Sequence, residues 1–254
     1  MSPPARSEVD PVAVVLAAGK GTRMKSELPK VLVPVCQRPM IRYVVEALKQ
    51  AGVQRIVVVV GYKQELVREE LADVPALEFG VQDEQLGTGH AVMMCREQLA
   101  ASHGPVIVVA GDSPMLQASS VEALITAYRQ DNAACLIGTV SKDDPTGFGR
   151  IVRNSANEFV GIVEEKDATD EQRAINEVNV STYLFHAPDL LHSLDQLSDD
   201  NAQSEYYITD CPGILLKEGK SVDALPVLQP CEALSINSME DLAEVEKTMQ
   251  TGSV

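Results

Sequence analysis

The chain has 254 residues, an ordinary hydrophobic share of 45% and a formal net charge of −16. That length accommodates one large α/β domain with a sizeable core, or two small ones. The acidity excludes non-specific nucleic-acid binding, which depends on Lys and Arg releasing counterions from phosphates; any phosphate-bearing ligand must be met by a local cluster of positive groups. No apolar run approaches the roughly 18 to 20 residues that span a bilayer. The apolar segment from Val12 to Ala18 lacks the basic flank and the length of a signal peptide. A cytoplasmic protein with neither a membrane nor a nucleic-acid partner is expected. The five cysteines form no Cys-x-x-Cys pair and the four histidines lack metal-ligand spacing, so reduced, packed thiols and no zinc site are expected.

Residues 1–11, rich in Pro, Ser and charge, read as a loose arm. Val12–Leu16 is a run of apolar β-formers ending in a glycine loop. A helix is predicted from Met40 to Ala51, with Ile41, Val44, Val45 and Leu48 on one face and Gly52 at its C-terminal cap. Arg55–Val60 reads as a buried strand, Tyr62–Ala72 as a helix, Leu77–Val81 as a strand and Gly89–Leu99 as a helix. Pro105–Ala110 is another buried strand, closed by Gly111-Asp112, and Ser119 is placed to cap a following helix that carries Val121, Leu124 and Ile125. Ala133–Val140 completes this rhythm. Apolar strands alternating with amphipathic helices imply a parallel sheet covered on both faces, whose ligands collect at the carboxyl ends of the strands.

From 141 to 185 the pattern changes to charged turns and strand-like pieces at Arg150–Val152, Phe159–Val163 and Val178–Phe185, read as an antiparallel insertion beside the main sheet. Helices are predicted at Ala187–Leu197 and Tyr206–Glu218, a strand at Val222–Val227 and a closing helix over Met239–Met249, within 238–250. With no internal repeat and no linker, residues 1–254 are expected to form a single domain.

Three motifs carry candidate chemistry. The loop Gly19-Lys20-Gly21-Thr22-Arg23, followed by Leu28-Pro29-Lys30, offers backbone N–H groups just past a strand, with Arg23 and Lys30 adding charge where a triphosphate would lie. It is neither a Walker A loop, since Val14 and Gly21 stand at diagnostic positions, nor a dinucleotide fingerprint, since Met24 replaces the third glycine. The same residues also read as a basic strand-to-helix turn. In Gln82-Asp83-Glu84-Gln85-Leu86-Gly87-Thr88 the Gln82 amide has the donor and acceptor that a uracil edge requires, and Gly87 lets a base approach the backbone; an ordinary polar loop is the alternative. Asp112, at the tip of a buried strand, suits Mg²⁺, which takes few protein ligands, or simply caps the next turn.

Taken in order, Gly19–Met24 with Leu28–Leu32, Glu84–Ala91, Asp144–Arg150, Gly161–Glu164 and Glu205–Asp210 closely resemble the uridylyltransferase half of the bacterial GlmU family, which makes UDP-N-acetylglucosamine. The resemblance runs from about Val12 to Met249. It implies an α/β, Rossmann-like nucleotidyltransferase fold with a mostly parallel central sheet, helices on both faces and a small β-rich insertion. It further implies that Leu16, Ala17, Ala18 and Gly19 line the nucleotide, with Arg23 and Lys30 on its phosphates and Gln82, Gly87 and Thr88 on the uracil side. Gly149, Glu164 and Asn179 would bind the amino sugar, and Asp112 with Asn237 would hold Mg²⁺; without the resemblance, Ile236-Asn237-Ser238 reads as a helix cap. Tyr206 and Tyr207 are expected to pack rather than react. Ala110 stands where the family commonly has a tyrosine, and Val180-Ser181 where it has Thr-Gly. The family's acetyltransferase half, which trimerises full-length members, has no counterpart in these residues, so a monomer or weak homodimer is expected.

The implied reaction joins UTP and a sugar 1-phosphate by in-line displacement, with no covalent intermediate and with positioning and electrostatics supplying the catalysis. A relative using another sugar or base, an idle nucleotide-sugar-binding regulator and a purely structural subunit are the rival readings.

Overall fold

The computed structural model describes residues 9–24 and 26–251. The chain runs through β1 (Val12–Ala17), the short pair β2 (Pro34–Val35) and β3 (Arg38–Pro39), α1 (Met40–Gln50), β4 (Arg55–Val60), α2 (Gln64–Glu70) and β5 (Leu77–Val81). Next come α3 (Thr88–Met93), α4 (Arg96–Leu99), β6 (Pro105–Ala110), α5 (Ala118–Asp131), β7 (Cys135–Ser141), β8 (Gly149–Arg153) and β9 (Phe159–Val163). The remaining elements are α6 (Asp170–Arg173), β10 (Glu177–His186), α7 (Ala187–Leu194), α8 (Asp210–Lys217), β11 (Val222–Leu225) and α9 (Met239–Thr251).

Among the described residues the main sheet has nine strands, with the path β11-β7-β10-β6-β1-β4-β5 and β8 and β9 joined at the side of β10. Strands β6, β1, β4 and β5 are mutually parallel, in the register Val12↔Val106, Val12↔Arg55 and Ile56↔Leu77. Successive residues of β1 point to opposite faces, and both faces are apolar. Ala13, Val15 and Ala17 pack with Ile41, Val44, Leu48, Val121 and Leu124 of α1 and α5. Val12 and Val14 pack instead with Val92, Leu99, Leu190 and Leu215 from α3, α4, α7 and α8. Burial on both sides is why these strands read as unbroken apolar runs rather than alternating ones.

Several boundaries differ from the sequence expectation, each for a local reason. Residues 1–8 of the expected arm lie outside the described ones. Pro11 is buried, and a Cβ on Gly104 would come within 2.5 Å of Val9, so that end of the arm is packed against the domain. The helix expected over Gly89–Leu99 breaks at Met94–Cys95, where Cys95 N–H bonds the Val92 carbonyl at 2.9 Å and the thiol turns onto Gly80 of β5. Tyr62–Ala72 shortens to α2. Ser119 does not cap α5: Gln117 occupies that position, and its N–H is met at 3.0 Å by the buried Glu232 carboxylate. Tyr206 cannot open a helix, because its backbone N–H and C=O bind Leu86 and Gly89, so α8 begins only at Asp210. The insertion is also smaller than 141–185. Only β8 and β9 flank the sheet, whereas β10 lies inside it, antiparallel between β6 and β7.

The β2–β3 pair encloses the two-residue turn Cys36-Gln37, with φ of 46° and 67°. Such turns favour Asn-Gly because both residues must adopt the left-handed conformation. Gln37 is exposed, so Gln37→Gly removes backbone strain without loss of packing. The expected gain is about 1 kcal/mol, after allowing for the greater freedom of glycine in the unfolded chain. Thermal unfolding should show a rise in Tm of about 2–4 °C for a domain of this size.

Candidate active site

The sheet brings the ends of four parallel strands to one edge. Leu16 pairs with Ala110 across β1 and β6, Ala17 with Val60, and Val60 with Val81. The residues that follow (Ala18-Gly19, Gly111-Asp112 and Gln82) therefore emerge side by side. After β1 the chain continues to β4 on one side, while β6 pairs on the other, which makes this edge the switch point where such sheets bind ligands.

The glycine loop is shaped by two requirements. Gly21 has φ of +65°, and a Cβ there would stand 2.7 Å from Lys30 Cβ, so only glycine lets the Lys30 segment fold against the loop. Met24 is buried with Val33, Val35, Met40, Ile236 and Leu242, pinning the loop to α9. Val31 and Leu32 are buried under the turn that follows Pro29, while the Lys30 side chain turns toward Asp112 and Asn237.

Four polar groups then converge. Lys30 Nζ donates to Asp112 Oδ2 and, at 2.8 Å, to Asn237 Oδ1. Arg23 Nη2 donates to the same Asn237 oxygen at 3.2 Å. Asn237 Nδ2 donates to Ser235 Oγ at 3.2 Å, which turns the amide oxygen toward the cations. Asn237 is held just ahead of α9, where its own N–H and that of Ser238 both reach Asp241 Oδ2 at 2.8 Å. Two hard oxygen donors, a carboxylate and an amide, thus already share one positive charge. That donor chemistry fits a divalent cation such as Mg²⁺, which needs few protein ligands. Among the described residues no cluster of His, Cys, Asp or Glu offers a larger metal cage.

Two cavities flank this cluster and meet at Ala110, Asp112 and Ser181. The smaller, about 360 Å³, is lined by Leu16, Ala18, Gly19, Lys30, Gln82, Gly87 and Thr88 among others. A Cβ on Gly19 would meet nothing within 4 Å, so the missing side chain leaves open space in this wall. The larger, about 520 Å³, includes Arg23, Gly149, Glu164, Asn179 and Asn237. Every residue that the sequence pointed to lines one or the other, except Ala17, whose side chain is in the core.

Individual roles look different once the contacts are seen. Gly87 has φ of +106°, and a Cβ there would lie 2.5 Å from the Tyr206 carbonyl oxygen. Its glycine identity is thus required by the Tyr206 backbone. Thr88 Oγ1 accepts the Ile208 N–H at 3.2 Å. Asn179 Oδ1 accepts the Ser181 N–H and its Nδ2 donates to the Tyr183 hydroxyl at 2.7 Å, leaving one amide N–H for the cavity. Ser181 sits in a bulge of β10 at φ of +59°, the conformation that explains why a glycine is usual there in the resembled family. Burial holds the Glu164 carboxyl above its ordinary range; a hydrogen bond from Thr209 opposes this, and the neighbouring charges of Asp210 and Asp167 reinforce it.

Sequence reasoning missed one support. Arg150 is fully buried and donates to the carbonyls of Phe148 and Arg173 while pairing with Glu165 at 2.8 Å, which anchors the Gly147–Gly149 wall. His90 contacts the Gln82 amide. The Tyr206 backbone pins the Leu86–Gly89 loop, and the Tyr207 hydroxyl accepts a bond from Gln203. Buried thiols such as Cys95 and Cys211 are pushed up to about 12 by desolvation. No described helix is long and apolar enough to cross a membrane.

The chain is 44% identical over 238 residues to the bifunctional protein GlmU of Bacillus cereus (strain G9842), covering 94% of this chain and 51% of that protein. It is 42% identical over 242 residues to the bifunctional protein GlmU of Pelotomaculum thermopropionicum, covering 95% and 52%. The chain therefore spans about half the length of the curated relatives it matches. Among solved structures, a UDP-glucose pyrophosphorylase complexed with UDP-glucose aligns over 96% of this chain and 100% of its own, with a TM-score of 0.73 at 18% identity. A putative glucose-1-phosphate thymidylyltransferase from Bacillus anthracis aligns over 93% and 94%, with a TM-score of 0.76 at 20% identity. These two show the fold, which is the Rossmann-like nucleotidyltransferase architecture. Residues 13–207 match the model of the MobA-like NTP transferase domain, and the chain belongs to that family.

Proposed function

We propose that this chain transfers a uridylyl group from UTP to N-acetylglucosamine 1-phosphate, forming UDP-N-acetylglucosamine and pyrophosphate with Mg²⁺ as cofactor. The observation that carries this reading is the meeting of two cavities at Asp112, beside Lys30, Arg23 and Asn237. The smaller, mostly apolar cavity with Gln82 in its wall suits a base and ribose, the larger and more polar one suits a sugar phosphate, and the bond to be made falls at their junction.

The nucleophile is a phosphate oxyanion and needs no strong base to activate it. The barrier lies in bringing two anions together and aligning them. Lys30 and Arg23 supply the positive charge that the acidic chain otherwise lacks. Backbone N–H groups of the glycine loop would meet the phosphates. Gln82 takes the base, while Gly149, Glu164 and the free N–H of Asn179 take the amino sugar. Asp112 and Asn237 would hold Mg²⁺, which when bound offsets charge on the transferring phosphoryl and on the leaving pyrophosphate. The buried thiols are too desolvated to serve as nucleophiles, which supports direct displacement.

A matrix of UTP, CTP and GTP against N-acetylglucosamine 1-phosphate and glucose 1-phosphate tests the reading. A site built to bond a polar edge rejects the wrong pattern by up to about 10⁴-fold in kcat/KM, and UTP is expected to lead by a margin of that order. Comparable turnover with CTP or GTP would remove Gln82 from the base. Faster turnover of glucose 1-phosphate would reassign the sugar, a substitution that Ala110 and Ser181 would then explain.

A further inference from the structure

Ser238 precedes α9 and starts it with a reciprocal cap. Its Oγ accepts the Asp241 N–H at 3.2 Å, and Asp241 Oδ2 accepts the Ser238 N–H at 2.8 Å. Those two bonds complete what a helix start requires. Asp241 Oδ2 does more: at 2.8 Å it also accepts the N–H of Asn237, which lies outside the helix. Both contacts have one possible direction, because a backbone N–H only donates and an ionised carboxylate only accepts. The two peptide groups so captured stand on either side of the Asn237 Cα. Rotation about the Cα–C bond of Asn237 sets the angle between their N–H groups, so convergence on a single oxygen fixes that torsion. The preceding residue is held as well, since Ile236 is wholly buried with Met24 and Met40. From this clamped backbone the Asn237 side chain brings its Oδ1 to 2.8 Å from Lys30 Nζ.

We infer that Asp241 is a positioning residue for Asn237: one carboxylate oxygen clamps the two peptides around Asn237 and so holds its amide oxygen beside Asp112 for a divalent cation. This rests on the Mg²⁺ reading above. Asp241 acts through Asn237, which reaches the ion already ordered. Removing a partner that orients a metal ligand from behind costs about 10- to 100-fold in metal affinity or activity. Here the loss falls on affinity, because Lys30, Arg23 and Asp112 stay in place once the ion is bound.

The test compares Asp241→Ala, Asp241→Asn and Ser238→Ala with the parent in two readouts. One is the Mg²⁺ concentration for half-maximal rate; the other is the dissociation constant for Mn²⁺, followed by electron paramagnetic resonance without substrates. Unfolded molecules lower the number of Mn²⁺ sites and leave the affinity of the rest unchanged. Asp241→Ala is expected to raise both values about tenfold, with kcat at saturating Mg²⁺ within about threefold of the parent. Asp241→Asn keeps an oxygen that accepts both N–H groups and should stay within about threefold in both readouts. Ser238→Ala loses the helix cap and keeps the clamp, so Tm should fall while neither value rises more than about twofold. Unchanged metal affinity in Asp241→Ala would overturn the role. So would an equal weakening in Asp241→Asn, which would trace the effect to charge, or in Ser238→Ala, which would trace it to a loosened α9. Unaltered Mn²⁺ affinity in Asn237→Ala would instead overturn the metal reading itself, and this inference with it.

Discussion

Replacing Asp112 with asparagine is expected to lower turnover by about 10²- to 10⁴-fold in a protein that remains folded, since losing a metal contact used in the transition state costs about 3–5 kcal/mol. The structure adds a second consequence. The Asp112 carboxylate also accepts from Lys30, so the substitution takes away both a hard anionic donor and the counter-charge that positions the ammonium. The fold has little at stake, because Asp112 stands beyond the end of β6 and its side chain keeps 24% of its exposure. Part of the lost rate should return at high Mg²⁺, as the weakened site fills by mass action. Circular dichroism checks folding, and turnover across a Mg²⁺ titration checks the role. A folded variant keeping more than about half of the parent rate at every Mg²⁺ concentration would reduce Asp112 to a turn residue, since the expected loss is at least tenfold.

Lys30→Met should cost about 10²- to 10³-fold in kcat, the range found when one preorganised donor to a developing anion is removed. Its response to Mg²⁺ is expected to differ in kind. In the structure the Lys30 ammonium lies between Asp112 and Asn237. Methionine leaves those two oxygens without their resident cation, so half-maximal rate should need less Mg²⁺ than in the parent, although the maximal rate is far lower. Excess Mg²⁺ should recover nothing. The two variants therefore separate a ligand to the ion from a cation that shares its ligands. A Lys30→Met enzyme with near-parental kcat, or one rescued by added Mg²⁺, would contradict the assignment.

Strands were the most legible part of the fold. Arg55–Val60 and Pro105–Ala110 match the observed strands to the residue, because burial on both faces imposes a nearly unbroken apolar run; the half-buried edge strand Leu77–Val81 matches as well. Helix limits were less legible, since remote backbone partners set them: nothing near Tyr206 in sequence announces that Leu86 and Gly89 will claim its peptide groups. The position of β10 was hidden for a related reason, as an antiparallel strand between β6 and β7 carries the same apolar pattern as one beside them.

The site divides in the same way. Gln82 and Asp112 stand just past strand ends, where the geometry of parallel sheets points directly at them, and Arg23 and Lys30 lie in the basic, glycine-containing segment that follows β1. Asn237 lies 207 positions beyond Lys30 and reaches the cluster only because α9 folds back onto Met24 and Met40. Pattern reading alone sees a helix cap there, and the resemblance supplied the rest. Ser181 carries a signal in its backbone angle that no residue pattern displays. Arg150 acts on other site groups rather than on the cavity surface alone, so its contribution becomes visible only with contacts in hand.

The most direct test of the account is product analysis of the protein incubated with UTP, N-acetylglucosamine 1-phosphate and Mg²⁺, with pyrophosphate and nucleotide sugar measured together. UDP-N-acetylglucosamine and pyrophosphate are expected in equal amounts, both abolished by a chelator and both absent when the sugar phosphate is omitted. Absence of both products from the folded protein, or pyrophosphate release that does not depend on the sugar phosphate, would contradict transfer at the junction of the two cavities.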